Sequence, residues 1–130
     1  MSQFYLARFS EQRYIMHQFL KKKYYSMVKL IALYRKPQDI DAFDKHYDTI
    51  HTPLVLQMPG LRKLEITRIT GAPIGESKFY LQAEMYFDSV DAMNAANASP
   101  QGRATAKDLM SFAADTVTLF YGDVTMENNK

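Results

Sequence analysis

Two of the three histidines, His46 and His51, fall inside one short stretch, FDKHYDTIHTPLVLQMPGLRKLEITRI (residues 43–69), with Tyr47 between them. Imidazole titrates near neutral pH and phenol is a hydrogen-bond donor, so this is the part of the chain equipped to move a proton. Tyr47 and His51 are four apart and share a helix face if the helix persists that far. The chemical expectation is that His51 acts as general acid/base or as a ligand hydrogen-bond group, with Tyr47 as its catalytic companion and Tyr34 lining the same cavity. A kinked helix end exposes carbonyl groups, and one of them is placed to orient the imidazole. The alternative is that His51 caps and packs, bonding to backbone.

His46 precedes His51 by five residues, about 140° away on an ideal helix. The pair is therefore not expected to share a metal. The chain has no cysteine and no His-x-x-x-His spacing, so no metal centre is expected. His46 is expected at the surface or an interface, and with Tyr34, Glu84 and Tyr86 it completes the candidate ligand-binding set. Glu84 sits mid-strand among aromatics and needs a partner if buried; Lys29, Arg62 and Arg68 are the candidates. The loop TGAPIGES has two glycines but lacks a phosphate-binding fingerprint, and no GxGxxG, nucleophile elbow or flavin signature is present, so no cofactor is expected.

These residues must be held by a small set of elements. Val28 to Tyr34 is a short apolar run that reads as a buried strand. Asp39 is placed to cap a helix whose apolar positions Ile40, Phe43, Tyr47, Ile50 and Leu54 recur at helical steps. Pro53 predicts a kink or stop near His51–Thr52, and Pro59–Gly60 a full stop. Residues 61–69 read as a strand. In residues 78–87, Phe79, Leu81, Ala83, Met85 and Phe87 alternate with Tyr80, Gln82, Glu84 and Tyr86, giving one apolar face and one amphipathic face. Asp88 or Ser89 caps the next helix. Ser99–Pro100 starts another, running to about residue 114, and residues 116–126 form the last strand.

Bulk composition narrows the class. One domain suits 130 residues, and 47% hydrophobic content with 8 Phe, 9 Tyr and 8 Met supplies a core. The net charge of +2 is unevenly spread: residues 1–26 carry five basic side chains against Glu11, leaving 11 basic and 13 acidic side chains in the rest. That balance gives no nucleic-acid footprint, and no apolar run approaches the ~20 residues of a membrane helix. The absence of cysteine fits a cytoplasmic protein. Residues 1–26 differ in composition and read as an extension, with Met27 as a competing start; residues 27–126 form the domain and 127–130 a tail.

The order β-α-β-β-α-β is the split arrangement of ferredoxin-like α+β folds: a four-stranded antiparallel sheet with both helices on one face. The other face shows apolar or aromatic residues, so a homodimer closing two such faces is expected. In MVKLIALYRKP, HYDTIHTPLVLQMPGL, GAPIGESKFYLQAEMYFDSVDAM and SPQGRATAKDLMSFAADTVTLFYGDV, the chain resembles the EthD family of the dimeric α+β barrel superfamily. Short members carry reductase labels, and others accompany degradation of ethers and aromatic compounds. In sibling families, which include cofactor-independent monooxygenases, isomerases and cyclases, a histidine on or after the first helix acts as acid/base, and His51 matches it by position. The resemblance implies an enzyme, oxidoreductase-linked or of isomerase/cyclase type, acting on a small hydrophobic or aromatic molecule by histidine-assisted proton transfer. The alternative is a non-catalytic metabolite-binding or accessory protein of a degradative oxygenase system.

Overall fold

The computed structural model describes residues 11–16 and 27–130. The expectations for residues 1–26 concern a stretch most of which, His17 included, lies outside the described residues; residues 11–16 are helical and exposed.

Strand β1 (Val28–Arg35) leads into helix α1 (Ile40–His46), a π-helical turn (Tyr47–His51) and helix α2 (Thr52–Leu56). Strands β2 (Lys63–Arg68) and β3 (Phe79–Phe87) form a hairpin, followed by helices α3 (Val90–Ala98) and α4 (Pro100–Ala113) and by strand β4 (Val117–Asp123). All pairings are antiparallel and the sheet order is β2-β3-β1-β4, the ferredoxin-like α+β topology. Elements begin and end within two or three residues of the sequence expectations, because capping chemistry sets the ends. Asp39 and Ser89 each accept a hydrogen bond at 3.0 Å from the backbone N–H three residues on, and Ser99 does the same for Gly102. The α3–α4 corner depends on Gly102: a Cβ there would collide with the carbonyl oxygens of Ala96 and Asn97. Gly60, at φ 78°, turns the chain after α2.

The helices cover the sheet face that carries Ala32 and Tyr34 of β1 and Leu81, Ala83, Met85 and Phe87 of β3, all buried. Phe43, Val55, Met93 and Leu109 supply the helical side of this core. An irregularity in the β1–β3 register sets Tyr34 opposite Leu81 and Arg35 opposite Phe79, leaving Tyr80 as an extra residue. Such a bulge re-aims a side chain. Tyr80 accordingly leaves the face expected from strict alternation: its ring meets Phe43 and its hydroxyl donates to Asp44 of α1 at 2.7 Å.

The helix-free face is divided. On the β2–β3 side Lys29 pairs with Glu84 and Lys63 with Glu65, both at 3.0 Å, and the two ammonium groups flank the Tyr86 ring at 4.9 Å. On the β1–β4 side Ile31, Leu33 and the 44% exposed Phe120 form an apolar strip. The amphipathic face thus divides into a charge lattice on one side and an apolar strip on the other. Among the described residues no helix is long and apolar enough to cross a membrane.

Candidate active site

The site begins with Pro53. A proline has no N–H to donate to the carbonyl four residues back, and its ring crowds that carbonyl. The chain does not stop at His51–Thr52. The chain widens instead into a π turn, in which the Thr52 N–H reaches the Tyr47 carbonyl five residues back, and then continues as α2 to Leu56. The Thr49 hydroxyl donates back to the Lys45 carbonyl at 2.5 Å, a bond of the kind that bends helices.

The π turn overturns the expected divergence of the two histidines. An i→i+5 turn brings residues five apart to nearly the same side, and His46 and His51 converge on one carboxylate. His46 Nε2 lies 2.9 Å from Asp108 Oδ1, and His51 Nδ1 lies 2.9 Å from Asp108 Oδ2. Among the described residues the orienting group for His51 is therefore a side chain of α4 and not a helix-end carbonyl. Four residues along α4 from Asp108, the Phe112 ring sits 4.4 Å from the His46 ring and 5.0 Å from that of His51, closing the clamp with apolar surface. Asp108 was not legible as a site residue. Its segment reads as an ordinary amphipathic helix, and the only signal available is an acid on that helix's inward side.

His51 is buried, and burial, which disfavours the charged ring, is the largest influence on it; the hydrogen bond and charge of Asp108 pull the other way, and the net pKa is lowered. The ring is accordingly neutral at neutral pH. A carboxylate facing Nδ1 selects the tautomer with the proton on Nδ1, which leaves Nε2 as an unprotonated base.

His51 borders a cavity of about 90 Å³ between the sheet and the helices. Tyr34 and Ala32 of β1, Met85 of β3, Val55 of α2 and Leu109 of α4 supply walls that are mainly apolar, and Tyr47 and Thr52 stand beside His51. Tyr34 and Tyr47 meet edge to face at 5.5 Å, and the Tyr47 ring lies 5.5 Å from that of His51. Burial raises the Tyr47 phenol to about 12 and pushes the Tyr34 phenol higher still, so both remain neutral donors. The Tyr34 hydroxyl and Thr52 Oγ1 are buried and have no hydrogen-bond partner among the described residues.

The structure thus brings His51, Tyr47 and Tyr34 to one cavity and ties His46 to it through Asp108. Glu84 and Tyr86 lie on the opposite, helix-free face, away from His51. Glu84 takes Lys29 as its partner from the three candidates, and that hydrogen bond is the largest cause of the raised Lys29 pKa. Arg68 faces the helices: it pairs with Asp44 and Asp48 and lies over the Tyr47 and Tyr80 rings. Burial works against the Asp44 carboxylate, but the Tyr80 hydroxyl and Arg68 together hold it below the usual range. Among the described residues no three His, Asp or Glu side chains are grouped to hold a metal ion.

An α+β ferredoxin-like domain with a histidine-bearing cavity between helices and sheet is the class this geometry defines. Residues 35–116 match the EthD domain model, and the chain belongs to that family. It is 33% identical over 97 residues to an uncharacterized 11.0 kDa protein in the thcB-thcC intergenic region of Rhodococcus erythropolis, covering 75% of this chain and 94% of that protein. The crystal structure of an ethyl tert-butyl ether D (EthD) family protein from Bacillus halodurans matches with a TM-score of 0.72 and 51% identity, over 74% of this chain and 96% of that one. SnoaB, a cofactor-independent oxygenase from Streptomyces nogalater, shares the fold at 15% identity with a TM-score of 0.55, over 80% and 96% of the two chains. Other ferredoxin-like structures sharing the fold are described as dimeric.

Proposed function

We propose that this EthD-family chain is a cofactor-independent enzyme, of the oxidoreductase-linked or isomerase/cyclase type, that transfers a proton to or from a small hydrophobic or aromatic molecule held between helices and sheet. The observation that carries the reading is the His51–Asp108 hydrogen bond at the wall of an apolar cavity. Asp108 fixes the ring and its tautomer, Nε2 takes a proton from the guest, and the imidazolium formed is stabilised by the same carboxylate. Tyr47 and Tyr34 supply neutral donors to an oxygen on which charge develops. Likeness of fold to a cofactor-independent oxygenase agrees with chemistry that needs no metal or flavin.

The active unit is a homodimer in this reading, since two copies meeting on the helix-free face bury the Ile31, Leu33 and Phe120 strip, which one copy leaves half wet. The test is a panel of small aromatic and carbonyl compounds followed for turnover and binding with wild type and His51→Ala. Turnover lost by at least about 10² with binding kept supports proton transfer; unchanged turnover and affinity refute it. A carrier or accessory role is the second reading, favoured by one feature: among the described residues no carboxylate lines the cavity to relay the proton onward. Saturable binding without turnover in wild type would select it.

A further inference from the structure

We propose that His46 is a positioning residue for His51: it anchors one oxygen of Asp108 so that the other stays turned to the His51 ring. The inference deepens the reading above, on which its catalytic meaning rests. A carboxylate only accepts hydrogen bonds, so each ring nitrogen that faces Asp108 carries a proton. His46 therefore donates from Nε2 to Oδ1 and His51 from Nδ1 to Oδ2, both at 2.9 Å, and the two neutral rings are opposite tautomers. Among the described residues the carboxylate has no other hydrogen-bond partner. An aspartate carboxyl turns easily about its last bond, because that torsion is broad and two-fold. Held by His51 alone, Asp108 would be free to swing its charge toward the water that reaches its 14% exposed side chain. The second bond removes that freedom. The His46 ring is itself steadied by Phe112, 4.4 Å away. It does not border the cavity, so it acts on His51 through Asp108.

An anchor and a competitor differ in sign at His51. Burial is the largest influence on that ring and lowers its pKa; Asp108 opposes it by hydrogen bond and charge, and a charged His46 adds to the lowering. A competitor would draw the carboxylate off His51. The two equal distances speak for the anchor, since sharing Asp108 has not lengthened the His51 bond. Tyr47, in ring contact with His51, and Tyr34, in contact with Tyr47, are titratable neighbours whose buried phenols stay neutral. Arg68, over the Tyr47 ring, is engaged by Asp44 and Asp48.

The test is ¹⁵N NMR of the histidine rings in the full chain, comparing wild type with His46→Leu and His46→Gln. Wild type is expected to carry the His51 proton on Nδ1 and the proton of neutral His46 on Nε2. His46→Leu removes the donor. The ratio of Nδ1–H to Nε2–H tautomers at His51 should then fall about fivefold, the size of one net hydrogen bond, and His51 should titrate lower than in wild type. His46→Gln offers an amide donor in place of Nε2 and should restore both. Mere loosening of the fold would wet His51 and raise its titration, the opposite sign.

A His51 titration unchanged or raised in His46→Leu overturns the inference, as does failure of His46→Gln to restore it. Should His46→Leu not fold, the wild-type spectrum decides. An Nε2–H on His46 protected from exchange with water supports the anchor, and a bare or unprotected Nε2 overturns it. None of these readouts needs a substrate, so they stand apart from the compound panel. An intact anchor without turnover of the panel would leave the inference standing and refute catalysis. Turnover that His51→Ala abolishes, beside a failed anchor, would do the reverse.

Discussion

Replacing Asp108 by Asn keeps the shape of the carboxylate and removes its charge, which makes it the sharpest probe of the clamp. The carboxylate accepts from both histidines at 2.9 Å with its side chain only 14% exposed. Hydrogen bonds to a charged acceptor contribute about 1.5–3 kcal/mol each and neutral ones about 0.5–1.5, so the exchange costs roughly 1 kcal/mol per bond, about 2 kcal/mol in all. The amide offers one acceptor and one donor, so one histidine must also turn its lone pair toward the amide. For a domain of this size a loss of about 2 kcal/mol lowers Tm by roughly 8 °C, readable by calorimetry. The second readout is the His51 titration followed by NMR. Asp108 raises the His51 pKa against the larger effect of burial, so removing the charge must move it further down from the wild-type value. A variant with unchanged Tm, or with a His51 pKa at or above that of wild type, would show that Asp108 does not hold the ring.

The remaining predictions concern the same architecture. Folding keeps His51 below its usual 6.5, so the unfolded chain binds the proton first; stability is fully present above pH 6.5 and falls as pH drops from there through the folded pKa. Chemical denaturation across pH 5–7 should show this slope in wild type and lose it in His51→Gln. Gly102→Ala drives a methyl into the Ala96 and Asn97 carbonyls and should cost at least about 2 kcal/mol, measured as a fall in denaturation midpoint. Phe120→Glu places a charge in the apolar strip of the helix-free face; light scattering should find dimers for wild type and single chains for the variant, and equal masses would remove that face as the interface.

Local rules made much of the fold readable. Alternation marked the strand over residues 78–87, a short apolar run the first strand, three- and four-residue steps the first helix, and Asp39, Ser89 and Ser99 the helix starts, since each rests on contacts within a few residues. The β-α-β-β-α-β order then leaves few ways to build one sheet, and the sheet order β2-β3-β1-β4 is the ferredoxin-like one. His51 and Tyr47 stood out for the same reason: the chemistry belongs to the side chain, whatever it touches.

What the chain's order could not convey lies where distant segments meet. The partner of His51 is 57 residues away on α4, and no spacing rule links them. Nor does sequence periodicity show that Pro53 is absorbed by a π turn, which swings His46 and His51 onto one carboxylate where an ideal helix would point them apart. The bulge that turns Tyr80 toward Asp44 is likewise a product of register between strands. Sequence determined the elements and the reactive groups because both follow from local geometry and side-chain chemistry. Tertiary structure alone decided which groups meet, because burial and long-range contact fix the protonation, the tautomer and the direction of each one.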